Sequence, residues 1–224
     1  METISVLIAD DYPVARAGIR VLLASAPDIR IIGEAADGAE TLALVEKLHP
    51  RILLLDLCMP GPGRAEIEGW VRAHCPETIT LVLTAHDRDA YLAEMKDAGV
   101  AGFMSKNASA DQLIAAIRCA AHGETLFTLE QVQRVRRWRE EVWARWEQLS
   151  EDQRHVLVLL LEGMENKAIA KRLVISRFAV EYRLTQIFGK LGVESRLAAV
   201  NWVQTNIPEE WLTPIYASLP PQGG

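Results

Sequence analysis

The chain has 224 residues, half of them hydrophobic, with 24 Lys and Arg against 30 Asp and Glu for a formal charge of −6. That length and apolar content suit one large or two ordinary domains with filled cores, and the acidic balance argues against a protein that coats nucleic acid with its whole surface. Cys58, Cys75 and Cys119 lack the close pairing of a zinc or redox site, no apolar run nears the roughly 18 residues of a membrane span, and Glu2 and Asp10 flank the first apolar run unlike a secretory signal; a cytoplasmic protein with reduced thiols and no membrane contact is expected.

The first half alternates strand and helix signals. Residues 4–9 form an apolar run that reads as a strand, and 13–25 follow as a helix, with Pro13 at a helix start where its missing N–H is harmless. Residues 29–34 read as the second strand, and a helix over about 39–48 puts Leu42, Val45 and Leu48 on one face. The third strand, 52–55, runs into Asp56, after which Met59-Pro60-Gly61-Pro62-Gly63 breaks regular structure. A helix near 65–73, a strand at 79–83, a helix near 89–98, a strand at 102–104 and a helix over 109–121 complete five βα units. The predicted fold is α/β: a doubly wound, parallel, five-stranded sheet in the flavodoxin-like order 2-1-3-4-5.

Five polar residues stand at the C-terminal ends of these apolar runs: Asp10 and Asp11, Asp56, Thr84 and Lys106. In an open parallel sheet ligands bind outside those ends, where the strand order reverses, so the five would converge in one crevice. Two carboxylates about 4 Å apart repel by roughly 4 kcal/mol at an effective dielectric near 20, so three in one pocket need a cation. Oxygen-only ligands suit Mg²⁺, which takes one or two carboxylates together with phosphoryl oxygens. Asp56 would then be a phosphoacceptor, with Lys106 pairing with the phosphoryl group and Thr84 donating a hydrogen bond to it. Taken singly, Asp10 and Asp11 also fit helix caps, Asp56 a loop acid and Lys106 a solvated charge. Their joint arrival at four strand ends favours the site.

These residues closely resemble the receiver domain of two-component response regulators. The resemblance lies in Ile8-Ala9-Asp10-Asp11, Leu55-Asp56-Leu57-Cys58-Met59-Pro60-Gly61, Leu83-Thr84-Ala85 and Gly102-Phe103-Met104-Ser105-Lys106, and covers about the first 120 residues. It implies that a histidine kinase phosphorylates Asp56, and that Asp11, Asp56 and the backbone carbonyl of Cys58 hold Mg²⁺ while Asp10 assists through water. It also implies an aromatic switch at Phe103 that turns inward as Thr84 moves toward the phosphoryl group. Ordinary strand packing of Phe103 fits the sequence as well.

From His122 the strand signals stop. Thr128 and Gln131 form a capping box opening a helix through about Gln148, with Arg134, Arg136, Arg137, Arg139 and Arg145 among Trp138, Trp143 and Trp146. A basic, Trp-rich helix suits nucleic acid or a membrane surface; we read it as an interdomain linker whose Trp residues bury against a domain or a second subunit. Ser150 and Gln153 mark the next helix start, with Val156, Leu157, Leu160 and Leu161 as its core face, and Gly163 ends it. A short helix from Asn166 to about Leu173, the turn Val174-Ile175, Ser176 as N-cap and a helix over 177–191, roughly 22 Å long, make a helix-turn-helix that lays its second helix in the major groove. Gly192 stops that helix, and one from Ser195 to Thr205 presents Leu197, Val200, Trp202 and Val203 to the core or to a dimer mate. The tail holds Trp211 and Tyr216, and its last residues are expected to be disordered.

Residues 1 to 121 carry 11 Lys and Arg and 17 Asp and Glu, whereas residues 163 to 196 hold 7 basic and 3 acidic side chains, so any polyanion contact belongs to the latter. This half resembles the LuxR-type helix-turn-helix of the NarL/FixJ class of response regulators. The resemblance lies in Gly163-Met164-Glu165-Asn166-Lys167-Ala168-Ile169-Ala170, Leu173-Val174-Ile175-Ser176, Val180, Ile187 and Lys190-Leu191-Gly192-Val193. Where relatives usually read Thr-Val-Lys-x-His, this chain has Ala179-Val180-Glu181-Tyr182-Arg183. An acid at the usual Lys lowers affinity unless Glu181 accepts from a cytosine amino group. Lys167, Lys171, Arg172, Arg177, Arg183 and Lys190, with Ser176, remain for phosphate contacts, and Tyr182 and Gln186 for base edges. The expected layout is a receiver at 1–122, a linker at 123–148, an all-α helix-turn-helix domain at 149–206 and a tail at 207–224. The expected protein is a regulator that, once phosphorylated, binds double-stranded DNA half-sites as a homodimer and is no enzyme beyond the chemistry of its own aspartate. The alternative is a phospho-dependent interaction protein with a degenerate helix-turn-helix.

Overall fold

A computed structural model describes residues 3–220; the disorder expected of the last residues falls on 221–224, outside that range. The chain divides into two compact units, Met1–Val135 and Arg136–Gly224. The first unit is a five-stranded parallel sheet of β1 (Ile4–Ala9), β2 (Ile29–Ala35), β3 (Ile52–Leu55), β4 (Ile79–Thr84) and β5 (Gly102–Ser105), in the spatial order β2-β1-β3-β4-β5. Five helices alternate with the strands: α1 (Pro13–Leu23), α2 (Gly38–Leu48), α3 (Arg64–His74), α4 (Asp89–Ala98) and α5 (Ala110–Ala121). The expected order 2-1-3-4-5 is observed.

Period-two alternation sends successive strand residues to opposite faces. Val6, Ile8, Ile52, Leu54, Leu81 and Leu83 pack with Ile19 and Leu23 of α1 and Leu113, Ile114 and Ile117 of α5. The intervening Leu7, Leu53, Leu55 and Val82 are equally buried, as are Val45 of α2, Ile67 and Val71 of α3 and Leu92 and Met95 of α4. A sheet covered on both faces explains why its strands read as continuous apolar runs. Register then fixes the site: Ala9 pairs with Leu55, Leu55 with Val82, and Thr84 with Ser105, so the residues just beyond these pairs emerge at one edge.

After α5 comes α6 (Leu129–Trp138), opened by the expected capping box in which the Thr128 hydroxyl accepts from Gln131 N–H and the Gln131 side chain accepts from Thr128 N–H. The sequence predicts one α-helix from here to Gln148. The structure instead interrupts it with a π-helical turn, Arg139–Trp143, before α7 (Ala144–Glu147). Residues five apart lie about 140° from each other around an α-helix, whereas the wider turn of i→i+5 bonding brings them closer to one face. Trp138 and Trp143 accordingly stack with ring centroids 5.6 Å apart.

The second unit continues with α8 (Glu151–Leu161), α9 (Asn166–Leu173), α10 (Arg177–Leu191) and α11 (Arg196–Asn206). Ser150, Ser176 and Ser195 each accept an N–H from three residues on and so cap α8, α10 and α11. Gly192, at φ +69°, ends α10 in the left-handed conformation that glycine adopts without strain. One core joins Trp146 and Leu149 to Val156, Leu157 and Leu160 of α8, Ile169 of α9, Val180, Leu184 and Ile187 of α10, and Ala199 and Val203 of α11. The tail folds back through α12 (Thr213–Ala217): Ile207 and Leu212 enter this core, and the Tyr216 hydroxyl donates to the Val158 carbonyl. Trp211, whose place the sequence leaves open, lies edge-on to Trp138 and Trp143 at 6.0 and 5.6 Å.

Candidate functional site

At the C-terminal edge of the sheet, Asp10, Asp11 and Asp56 each offer an oxygen such that the three lie within 4.8 Å of one another. Asp10 and Asp56 are buried. Each has one oxygen fixed from the sheet side: Lys106 Nζ lies 2.7 Å from Asp10 Oδ2 and 3.1 Å from Asp56 Oδ2. The other Asp10 oxygen accepts from Tyr12 N–H at 3.0 Å. Asp11 Oδ1 and Asp56 Oδ1 are buried with no hydrogen-bond partner. Uncompensated buried carboxylate oxygens are costly, and a hard divalent cation satisfies them best. The acidic cluster therefore fits Mg²⁺, with oxygen donors of the right kind and two of them lacking any other partner.

Lys106 carries opposing influences. Burial works against its charge, but the hydrogen bonds and charges of Asp10 and Asp56 outweigh that, and the ammonium is held above its ordinary range. Thr84 is fully buried at the end of β4, its hydroxyl accepting from His86 N–H at 3.0 Å and keeping its own proton to donate. Phe103 is buried in β5 opposite Val82, and its carbonyl accepts from the Gln131 side chain at 2.8 Å. Cys58 is exposed in the loop that follows Asp56. The structure thus brings Asp10, Asp11, Asp56 and Lys106 into direct contact range and lines Thr84 and Phe103 along the adjoining strands.

Two arginines support the site: Arg16, which the sequence reading did not single out, and Arg134, which it placed only among the basic residues of the Trp-rich helix. Arg16 of α1 donates to the Asp10 carbonyl at 2.5 Å and pairs with Glu34 at 3.1 Å, steadying the backbone that aims the acidic pair. Arg134 of α6 reaches Asp87 at 2.8 Å, in the loop that leads from Thr84 into α4, and Asp89 at 2.7 Å, the first residue of α4. Their ion-pair partners gave no local signal, because Glu34 lies 18 residues from Arg16 and the nearer acid lies 45 residues from Arg134.

In the second unit the residues expected at DNA are distributed as follows. Lys167 and Lys171 are exposed one turn apart on α9, whereas Arg172 donates to the Pro220 carbonyl in the tail. Ser176 caps α10. Arg177 is paired with Glu181 at 2.8 Å, so the unexpected acid is neutralised within its own helix. Arg183 is held by Asp152 at 2.5 Å, and Lys190 donates to Gln148 O and Gln153 Oε1, both at 2.7 Å. Gln186 donates to the Tyr182 hydroxyl and accepts from Gln153. No helix among the described residues is long and apolar enough to cross a membrane.

Comparison with known proteins covers both units. Residues 6–118 match the response regulator receiver domain, and residues 147–203 match the luxR family of bacterial regulatory proteins. Among curated relatives, the response regulator protein VraR of Staphylococcus aureus (strain Mu3) is 31% identical over 198 residues, which is 88% of this chain and 95% of VraR. Among solved structures, the RcsB response regulator of Salmonella typhimurium matches with a TM-score of 0.67 at 26% identity, covering 90% of this chain and all of that one. An RcsB–DNA complex matches with a TM-score of 0.63, also at 26% identity, over 91% of this chain and 99% of that one.

Proposed function

Because this chain belongs to the response regulators that join a receiver domain to a LuxR-type DNA-binding domain, a group of transcription regulators, we propose that phosphorylation of Asp56 by a partner histidine kinase switches it. The layout we propose is a receiver at 1–122, a linker at 123–148, a helix-turn-helix domain at 149–206 and a tail at 207–224. The single observation that carries the reading is the divided environment of the Asp56 carboxylate. Its Oδ2 lies against Lys106, and its Oδ1 is buried without a partner beside the equally unpartnered Asp11 Oδ1.

Asp56 and Asp11, with the Cys58 carbonyl, would hold Mg²⁺, and Asp10 would assist through water. When bound, the metal supplies charge neutralisation for the phosphoryl oxygens. An Asp56 oxygen forms the new O–P bond as the N–P bond of the phosphohistidine breaks and its electron pair returns to the imidazole. Lys106, kept charged by its two acids, then exchanges Asp56 Oδ2 for a phosphoryl oxygen, and the Thr84 hydroxyl turns to donate to another. That movement frees the space into which Phe103 rotates. Charge-assisted bonds of this kind move a two-state balance only by their difference between the states, and going from 1:99 to 99:1 takes about 5.5 kcal/mol.

The state so favoured is a homodimer on two half-sites of double-stranded DNA in the cytoplasm, with α10 in the major groove. Lys167, Lys171, Arg172, Ser176, Arg177, Arg183 and Lys190 are the proposed phosphate-side residues, and Glu181, Tyr182 and Gln186 the proposed groove-side ones. The RcsB–DNA complex among the structural neighbours supports this use of the fold. With a small-molecule phosphodonor and Mg²⁺, the protein is expected to take up acid-labile phosphate, dimerise and bind duplex more tightly. Asp56→Asn is expected to do none of these, and normal labelling of that variant would remove the assignment. A second reading, a phospho-dependent adaptor that binds DNA weakly, is favoured by the internal pairing of Glu181, Arg183 and Gln186. Affinity for random duplex that hardly changes with salt would support it, since phosphate contacts give a steep salt dependence.

A further inference from the structure

An apolar strip lies uncovered on the helix-turn-helix. Val174, Phe178 and Tyr182 are 84%, 77% and 58% exposed. Phe178 and Tyr182, four residues apart, share one face of α10, and Val174 stands in the turn before it. Single exposed apolar residues need no explanation, but three large ones within one turn and the helix that follows it do. Val174 also sits at φ +55°, a conformation costly for a β-branched side chain, although the fold makes no use of that side chain.

The polar neighbours of the strip are already engaged. Glu181 is paired with Arg177, the Thr185 hydroxyl donates to the Glu181 carbonyl, and Gln186 is bonded to Tyr182 and Gln153. What the leading end of α10 offers a partner is therefore chiefly carbon. Beside it, exposed Lys167 and Lys171 form no ion pair among the described residues. An apolar strip with a cationic margin is complementary to a polyanion that displays a hydrophobic group. In the major groove that group is the thymine 5-methyl; the other base edges there present hydrogen-bond donors and acceptors.

We propose that Phe178, with Val174 beside it, reads thymine by packing on its 5-methyl group, so that apolar contact sets the sequence preference of this chain. The proposal rests on the reading of α10 as a DNA-recognition helix. It leaves Glu181 and Gln186 their groove-side places, and Lys167 and Lys171 theirs at phosphates.

The test uses the full chain and a duplex enriched by it from a random pool, prepared once with thymidine and once with deoxyuridine, which deletes the methyl and keeps the pairing. Wild type is expected to bind the deoxyuridine duplex about fourfold more weakly for each contacted thymine, which corresponds to roughly 0.8 kcal/mol per buried carbon group. Phe178→Ala, whose exposed site leaves folding intact, is expected to bind both duplexes alike, and Phe178→Leu to regain part of the difference. Equal binding of the two duplexes by wild type would overturn the proposal while leaving DNA binding in place. Failure to enrich any duplex would remove the DNA reading and this proposal together. If Phe178→Ala lowers the oligomeric state without altering the thymidine preference, a second copy covers the strip and the proposal is wrong.

Discussion

Glu68 is a charge that the sequence gives no reason to single out. It lies on α3 at 3% exposure with Oε2 unpartnered, next to the Thr80 hydroxyl of β4. Burial pushes its carboxyl above the ordinary value, against the opposing pull of Thr80 and Arg72. The folded state thus prefers the neutral acid. Below about pH 4.5 both folded and unfolded chains are protonated and nothing is lost; as pH rises, the unfolded chain ionises first and stability falls until the folded carboxyl also ionises. Glu68→Gln is therefore expected to be more stable than wild type at neutral pH, with the gain vanishing in acid, as urea unfolding at the two pH values would measure. An equal gain at both would mean that shape, not ionisation, is responsible. The contrast with Asp10, Asp11, Asp56, Thr84 and Lys106 is physical. Each of those ends an apolar run and so advertises its place at the sheet edge, whereas a lone acid on an amphipathic helix does not reveal that it faces a strand.

Elements were most legible where local chemistry decides them. Ser109, Ser150, Ser176 and Ser195 all stand at helix starts, and Gly163 and Gly192 at helix ends, because capping is settled within a few residues. Boundaries were less legible: β4 runs through Thr84 and α1 stops at Leu23 rather than at residue 25. The π-helical turn was not legible, since it follows from where three tryptophans pack and not from the helix preference of residues 139–143. The attachment of α6 to the first unit was equally hidden, resting on Arg134 with Asp87 and Asp89, the Gln131–Phe103 bond, and Lys96 over the ring of Phe127. Because Asp87 and Asp89 are about half exposed, solvent screens the Arg134 bridge to about 1 kcal/mol, less at high salt. Arg134→Ala should therefore let amides of residues 85–90 exchange about fivefold faster at low salt, and unchanged exchange would show that the bridge does not restrain this loop.

On the scale of the whole molecule, two separate cores should appear as two steps in calorimetric unfolding. Mg²⁺ at about a hundred times its Kd should stabilise the first unit by about 2.7 kcal/mol and shift only its step. Asp11→Asn should abolish that shift. Ile187→Ala, a fully buried truncation in the second unit, should lower the other step by about 2–5 kcal/mol. One transition that moves as a whole with Mg²⁺ would contradict the division. The returning tail bears on any attempt to express the helical half separately. The match to the luxR family stops at residue 203, yet Ile207 and Leu212 beyond it are 2% and 5% exposed, and Ser218 bonds the ring of His155 at 2.9 Å. A fragment trimmed to the match would strip the covering from α8 and tend to precipitate; a soluble one should retain every residue through Pro220.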